Sequence, residues 1–227
     1  MGAAAGISIV AVHEAGHAVA RFRTAKIMGY DPAEAVASIE MHRPDTAPKY
    51  LGADGNWYIH AATTFGPWFS KPIAAASKDV AARYGIEGIN ARPEEYAADV
   101  MEAARAAGAD IAGWVNAKML QAVAGPVAEA KATGTSLDDM LSAAEFAPDF
   151  ADAANPGRIA GWSEQDISHG IANAVAIAEQ ELSAPQTWNA LLALATSLPH
   201  EGTIDGRTCW TIFVRAFEKR NRLSSDP

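Results

Sequence analysis

The sequence predicts a mainly helical fold with a small β-sheet, of the α+β class. Alanine-rich segments with strong helix propensity cover approximately residues 71–84, 93–107 and 110–132. A segment of alternating apolar and polar residues, 35–41, is typical of a β-strand. With 227 residues and 49% hydrophobic content, the chain is long enough to bury a substantial core. No internal repeat or low-complexity linker divides it, so we expect one domain over residues 1–227.

The first elements follow from local patterns near the start of the chain. A helix is expected from about Ile7 to Thr24, and it ends before a break at Gly29-Tyr30-Asp31-Pro32. The strand at 35–41 comes next, and a second strand is expected around Asn56–His60. A small sheet therefore follows the first helix.

The C-terminal half is predicted to alternate helices with one long loop. The segment Phe146–Arg158 contains prolines, aspartates and a glycine, so we predict a loop there. Ser163 is a candidate N-cap for the following helix, with Asp166 as its partner in a capping box. Two last helices are expected over Pro185–Leu198 and Arg207–Lys219.

Composition and charge exclude several classes of function. The net charge is −9, and the 18 Lys and Arg residues are scattered except for a cluster at Arg215–Arg222, so we expect no nucleic-acid partner. The apolar segment Ala3–Val12 has about half the length of a membrane span and lacks the basic start of a signal peptide, so no membrane span is expected. The single cysteine, Cys209, has apolar neighbours, which predicts a buried thiol, a reducing compartment and a cytoplasmic location.

Five residues near the start, His13-Glu14-Ala15-Gly16-His17, carry the clearest chemical signal. Residues four apart lie on one face of a helix, so the imidazoles of His13 and His17 can bind one metal ion. Glu14, next to the first histidine, can then act on a water molecule at that metal. The pattern is typical of zinc hydrolases, and we expect Zn²⁺ as the cofactor.

The third zinc ligand has to come from elsewhere in the chain, because a catalytic zinc usually takes three protein ligands and leaves a fourth position for water. Asp166 is one candidate, because a carboxylate is stabilised at the start of a helix, at an end that can point into a cleft, but this reasoning does not single it out. The alternative is that Asp166 only caps its helix. The sequence leaves these candidates open: Glu129, Asp138, Asp139, Asp149, Asp152, Glu164, Asp166, His169 and His200.

Several segments together resemble one protease family. His13-Glu-Ala-Gly-His-Ala18 is similar to the zinc helix of FtsH-type proteases, the membrane-anchored, ATP-dependent metalloproteases. Ala124-Gly-Pro-Val-Ala-Glu129 resembles the family's glycine-rich helix, and His200-Glu-Gly-Thr-Ile-Asp-Gly206 resembles the turn between its last two helices. Gly161-Trp-Ser-Glu-Gln-Asp166-Ile167 resembles the segment whose aspartate is the family's third zinc ligand, so the resemblance implies Asp166 in that role.

The departures from the family pattern also carry expectations. The spacing from His17 to Asp166 is longer than in the family, which implies a helical insertion within about residues 60–120. The chain has neither the ATPase module nor the membrane anchor, so the resemblance implies a stand-alone, ATP-independent zinc metalloendopeptidase. Its expected substrate is a peptide or an unfolded protein. Peptidase domains of this family assemble as hexamers, so a homo-oligomer is an open expectation.

In the expected reaction a zinc-activated water hydrolyses the peptide bond, with Glu14 as the general base. Glu129 is a candidate to orient a zinc-bound histidine, although a single helical glutamate is more often solvated. His169, three residues after Asp166, is a candidate for a supporting position beside the site, but a solvated side chain is the commoner outcome. The strand at Val36–Met41 can offer an edge to an extended peptide or serve only as a structural strand.

Two other interpretations stay open. One is a non-catalytic metal-binding scaffold or protein-interaction module descended from such a peptidase. The presence of Glu14 argues against it, because a structural metal needs no general base and favours cysteine-rich coordination. The other is a zinc peptidase of a different H-E-x-x-H lineage, with Glu129 or a histidine as the third ligand.

Overall fold

A computed structural model of the protein shows a bundle of helices beside a small sheet. One central helix contacts most of the others, and the sheet packs at the side of the first helix. The model describes residues 7–41, 50–51, 57–58, 61–65, 71–84, 93–142, 146–198 and 202–223.

The two central helices are α1, Ile9–Ile27, and α4, Ile111–Thr133. They pack closely because Gly16 has no side chain: a Cβ there would lie 2.5 Å from the carbonyl oxygen of Ala124 and 2.8 Å from the Cβ of Ala128. The predicted first helix is confirmed, and it extends to Ile27. The motif residues therefore lie on a helix whose face is pressed against α4.

Two further helices, α6 and α7, pack on α4 from other directions. Helix α7, Glu164–Ser183, begins as predicted, since the Ser163 side chain accepts a hydrogen bond from the backbone N–H of Asp166. The predicted loop at 146–158 is wrong, because this segment forms helix α6, Ala147–Ile159. Its first proline lies in the first turn of the helix, where a missing N–H costs nothing.

The main sheet has three antiparallel strands in the order β4–β1–β5. Strand β1, Val36–Met41, confirms the predicted strand and lies in the middle. It pairs on one side with β4, Ala61–Phe65, where Ile39 lies opposite Thr63. On its other side it pairs with β5, Gly202–Asp205, from the far end of the chain.

A second, two-stranded sheet joins β2, Tyr50–Leu51, to β3, Trp57–Tyr58. The second predicted strand, around 56–60, coincides with β3 at residues 57–58; its positions 56, 59 and 60 lie outside the described residues. The mainly helical α+β class is thus confirmed.

The remaining helices lie around this centre, and the alanine-rich segments are helical as predicted.

Cys209 is fully buried, as predicted, and burial raises the pKa of its thiol to about 12. Among the described residues, no helix is both long enough and apolar enough to cross a membrane. The remaining helical elements are a 3₁₀ turn Pro32–Glu34, α2 Lys71–Arg83, α3 Pro93–Ala106, α5 Leu137–Ser142, α8 Pro185–Ser197 and α9 Gly206–Leu223.

Candidate metal centre

The two motif histidines converge on one point between α1 and α4. Their Nε2 atoms lie 3.0 Å apart, and their rings meet edge to face at 76°. The Nδ1 atom of His13 lies 3.0 Å from Oε2 of Glu129, and that of His17 lies 2.7 Å from the carbonyl oxygen of Gln121. Since these oxygens accept, Nδ1 is the donor of each ring, and the two Nε2 atoms are left to face each other. Two ring nitrogens this close need a cation between them, either a proton or a metal ion.

Asp149, in the first turn of α6, completes the group. Its Oδ2 lies 3.5 Å from Nε2 of His13, and its Oδ1 lies 3.4 Å from Nε2 of His17. A tetrahedral zinc with bonds of about 2.0–2.2 Å separates its ligand atoms by roughly 3.3–3.6 Å. The two distances from Asp149 lie in this range, and the Nε2 atoms, 3.0 Å apart, would need to separate by about 0.3 Å to bind one zinc ion. With that small change the group fits a catalytic zinc site with a fourth position for water.

Gly125 of α4 makes space for an ion at this point. A Cβ on Gly125 would lie 2.4 Å from Nε2 of His17 and 2.8 Å from Nε2 of His13, the two atoms that would bind the metal. Any side chain here would therefore fill the position of the ion. The sequence singled out residues 124–129 by resemblance alone and gave Gly125 no role.

Glu14 lies beside the histidines with only 7% of its surface exposed. Its Oε2 accepts a hydrogen bond of 2.5 Å from Oγ1 of Thr63, on strand β4. Sequence reasoning missed Thr63, because 49 residues separate the two partners and no local pattern links them.

The backbone that holds His17 is itself fixed by a buried charge. Arg21 is fully buried, donates from Nη1 to the side-chain oxygen of Gln121 at 2.7 Å, and donates from Nε to the carbonyl oxygen of Ala35 at 2.8 Å. Gln121 thus contacts Arg21 through its side chain and His17 through its carbonyl. This connection fixes the ring of His17 relative to α4.

The charges around His17 favour a positive charge at the site. Burial alone would lower the pKa of His17, but the hydrogen bond and charge of Asp149, the charge of Glu14 and the Gln121 carbonyl together raise that pKa to about 9. The site is therefore negative enough to hold a cation despite its burial.

No family model matches the chain, and no curated protein matches it. The resemblance to FtsH-type peptidases therefore stays a prediction, and the geometry of the site has to carry the functional argument.

The structure places Asp149, rather than the favoured Asp166, at the histidines. Asp166 is exposed, and its Oδ2 accepts a hydrogen bond of 2.6 Å from Oγ of Ser163, so it caps α7 as the alternative interpretation had it. It is not part of the metal-binding group found among the described residues. Asp149 reaches the histidines because residues 147–159 form helix α6, which was not predicted from the sequence.

Of the other predicted residues, some lie at the histidines and some do not. Glu129 contacts His13, in the orienting position proposed for it. His169 is exposed on α7 and is not part of the metal-binding group, and Glu164 pairs with Arg158 on the surface. The last candidate, His200, lies outside the described residues.

One aromatic contact explains why α6 begins at the site. The ring of Phe146, just before α6, stacks on the ring of His13 with centroids 6.2 Å apart and planes at 8°. Phe146 is buried, so this contact holds the first turn of α6, and with it Asp149, against the histidines.

Proposed function

We propose that this protein is a zinc-dependent metallopeptidase, with His13, His17 and Asp149 as zinc ligands and Glu14 as the general base. The observation that carries the proposal is the convergence of the two Nε2 atoms and the Asp149 carboxylate within 4.8 Å of one another. Glu14 follows His13 directly and is buried beside the group, where a base can reach a metal-bound water.

The chemistry divides between the metal and the chain. When bound, zinc supplies a water molecule that is acidic near neutral pH and polarises the substrate carbonyl. Glu14 accepts the proton of that water as it attacks the carbonyl, and then donates it to the leaving amine. His17 and His13 are held by Gln121 and Glu129, so the ligand geometry is set before metal binds. No covalent intermediate with the protein is needed.

The sheet offers a way to hold an extended peptide, although not at the strand expected from the sequence. Strand β1 is paired on both sides, so it has no free edge. Among the described residues, β4 pairs only with β1. Because Thr63 of β4 touches Glu14, a peptide added along β4 would pass close to the base.

The resemblance to FtsH-type peptidases supports peptides or unfolded proteins as the substrate class and an ATP-independent reaction. The proposed ligand set differs from the family's, since Asp149 takes the position for which the resemblance implied Asp166. The resemblance therefore supports the proposal only through the chemistry of the motif helix.

Metal analysis and one cleavage assay test the proposal. The purified protein is expected to bind one zinc ion and to cleave an unfolded protein such as casein. Glu14→Gln should keep the zinc but reduce cleavage by about 100-fold or more, because the general base is lost. His17→Ala should lose both the zinc and the activity.

Glu179→Gln, at an exposed position of α7, is the matched control and should behave as the wild type. Equal cleavage by Glu14→Gln and the wild type would rule out the mechanism. Zinc binding without cleavage by the wild-type protein would instead support the non-catalytic scaffold.

A further inference from the structure

Among the residues that the structure describes, Thr63 is the one outside the motif helix whose side chain hydrogen-bonds to the proposed base. Its hydroxyl lies 2.5 Å from Oε2 of Glu14 and 3.3 Å from the backbone oxygen of the same residue. A hydroxyl has one proton to donate, and the shorter contact, to an ionised carboxylate, is the stronger one. The proton of Thr63 is therefore directed to the Glu14 side chain.

This hydrogen bond restrains a side chain that is otherwise free to rotate. A glutamate has three rotatable bonds, so its carboxylate can take several orientations unless a neighbour fixes one. In the described part of the chain, Thr63 is the one side chain that donates to the Glu14 carboxylate. With Oε2 held by Thr63, the carboxylate keeps one orientation, and its remaining lone pairs can accept a proton.

Thr63 is itself held by the sheet. It lies opposite Ile39, which is fully buried in the central strand β1. Strand β1 is paired on its other side with β5, so the backbone of β4 is attached to a strand fixed from two directions. The hydroxyl consequently has a fixed position relative to α1.

We infer that Thr63 is a positioning residue that holds the Glu14 carboxylate in one orientation and thereby couples the base to strand β4. The inference rests on the proposed function. It adds that the reaction depends on a contact between the motif helix and the sheet, so the motif helix alone is not a sufficient catalyst.

The decisive comparison is between Thr63→Val and Thr63→Ser in the full-length protein. Valine keeps the branched shape and the strand propensity of threonine but cannot donate, whereas serine keeps the donor. We expect Thr63→Val to lower kcat by about 10- to 100-fold with KM nearly unchanged, because the misplaced base affects the chemical step. Thr63→Ser should keep most of kcat, and bound zinc should be equal in all three proteins.

Thr196→Val, at an exposed position of α8, is the control for a threonine-to-valine substitution outside the proposed site and should leave kcat unchanged. An unchanged kcat in Thr63→Val, with an active wild type, would overturn the inference and leave the proposed function standing. An equal loss of kcat in Thr63→Ser and Thr63→Val would also overturn it, because the hydroxyl would then not be what matters.

Crystal structures of the wild type and Thr63→Val give a readout that does not need activity. We expect the Glu14 carboxylate to turn away or to occupy several orientations in Thr63→Val, and to stay in place in Thr63→Ser. A wild type without cleavage would overturn the proposed function. An unmoved Glu14 in Thr63→Val would overturn the positioning role, whether or not the enzyme is active.

Discussion

The first turns of α6 and α7 contain similar residues but have different functions. Asp149 lies in the first turn of α6, and Asp166 lies in the first turn of α7. Helix α7 has a serine as its N-cap, and Asp166 bonds to that serine. Helix α6 has Phe146 as its N-cap, which makes no side-chain capping bond. A carboxylate that completes its own helix cap is already engaged, whereas one without a local partner is available for a distant one.

Substituting each of the two aspartates in turn tests their different roles. Asp149→Asn should weaken zinc binding by more than about 100-fold, because it removes a charged ligand from a site with only three. Asp166→Asn should leave zinc binding unchanged, because in the described part of the chain that carboxylate bonds within its own turn, to Ser163. Competition with a chromophoric chelator measures both affinities. A loss of zinc in Asp166→Asn, with Asp149→Asn unaffected, would reverse the assignment.

A smaller loss of zinc affinity is expected at Glu129, which contacts the proposed ligand His13. Glu129→Gln replaces the carboxylate that fixes the His13 ring with a neutral amide, so zinc affinity should fall by about 10- to 100-fold. Circular dichroism should show the same helix content as the wild type. The same titration with Glu179→Gln, on exposed α7 surface, gives the baseline for a glutamate that contacts no ligand. Equal affinities in the two variants would remove Glu129 from the site.

A third prediction concerns the pH dependence of stability and rests on Lys118 of α4. Burial, aided by the charge of Arg21, lowers the pKa of Lys118 to about 8, although the charge of Asp152 on α6 opposes this. The ordinary pKa of 10.5 applies in the unfolded chain, so between these values the unfolded state binds more protons. The free energy of unfolding should therefore rise with pH in this window.

Urea unfolding at several pH values across this window, for the wild type and Lys118→Met, measures that contribution. The methionine variant should lack this part of the rise, since it carries no titrating group at this position. Parallel stability curves for the two proteins would show that Lys118 titrates normally.

Much of the fold and half of the site follow from local sequence. The spacing of His13 and His17, the alternation at β1 and the serine cap of α7 all concern residues a few positions apart. The prediction of a loop at 146–158 is wrong because prolines favour loops in general, although Pro148 lies where a helix tolerates one. Without helix α6, nothing in the local sequence distinguishes Asp149 from the other acidic candidates.

The rest of the site depends on contacts between distant parts of the chain. Thr63 meets Glu14 across the interface of sheet and helix, and Gly125 matters only because α4 crosses α1 at the histidines. These residues have no spacing rule relative to the motif. Such positions are determined by packing, and a single sequence does not encode them in a form that periodicity reveals.

The pairing of β1 with β5 also has a consequence for the order in which the protein matures during synthesis. Residues 13–149, which include the whole metal-binding group, leave the ribosome well before Gly202–Asp205, which close the second edge of β1. The metal-binding group can thus be complete while the sheet that supports Thr63 still lacks its third strand. Under the proposed function, zinc binding and the positioning of the base would therefore be acquired at different times during synthesis.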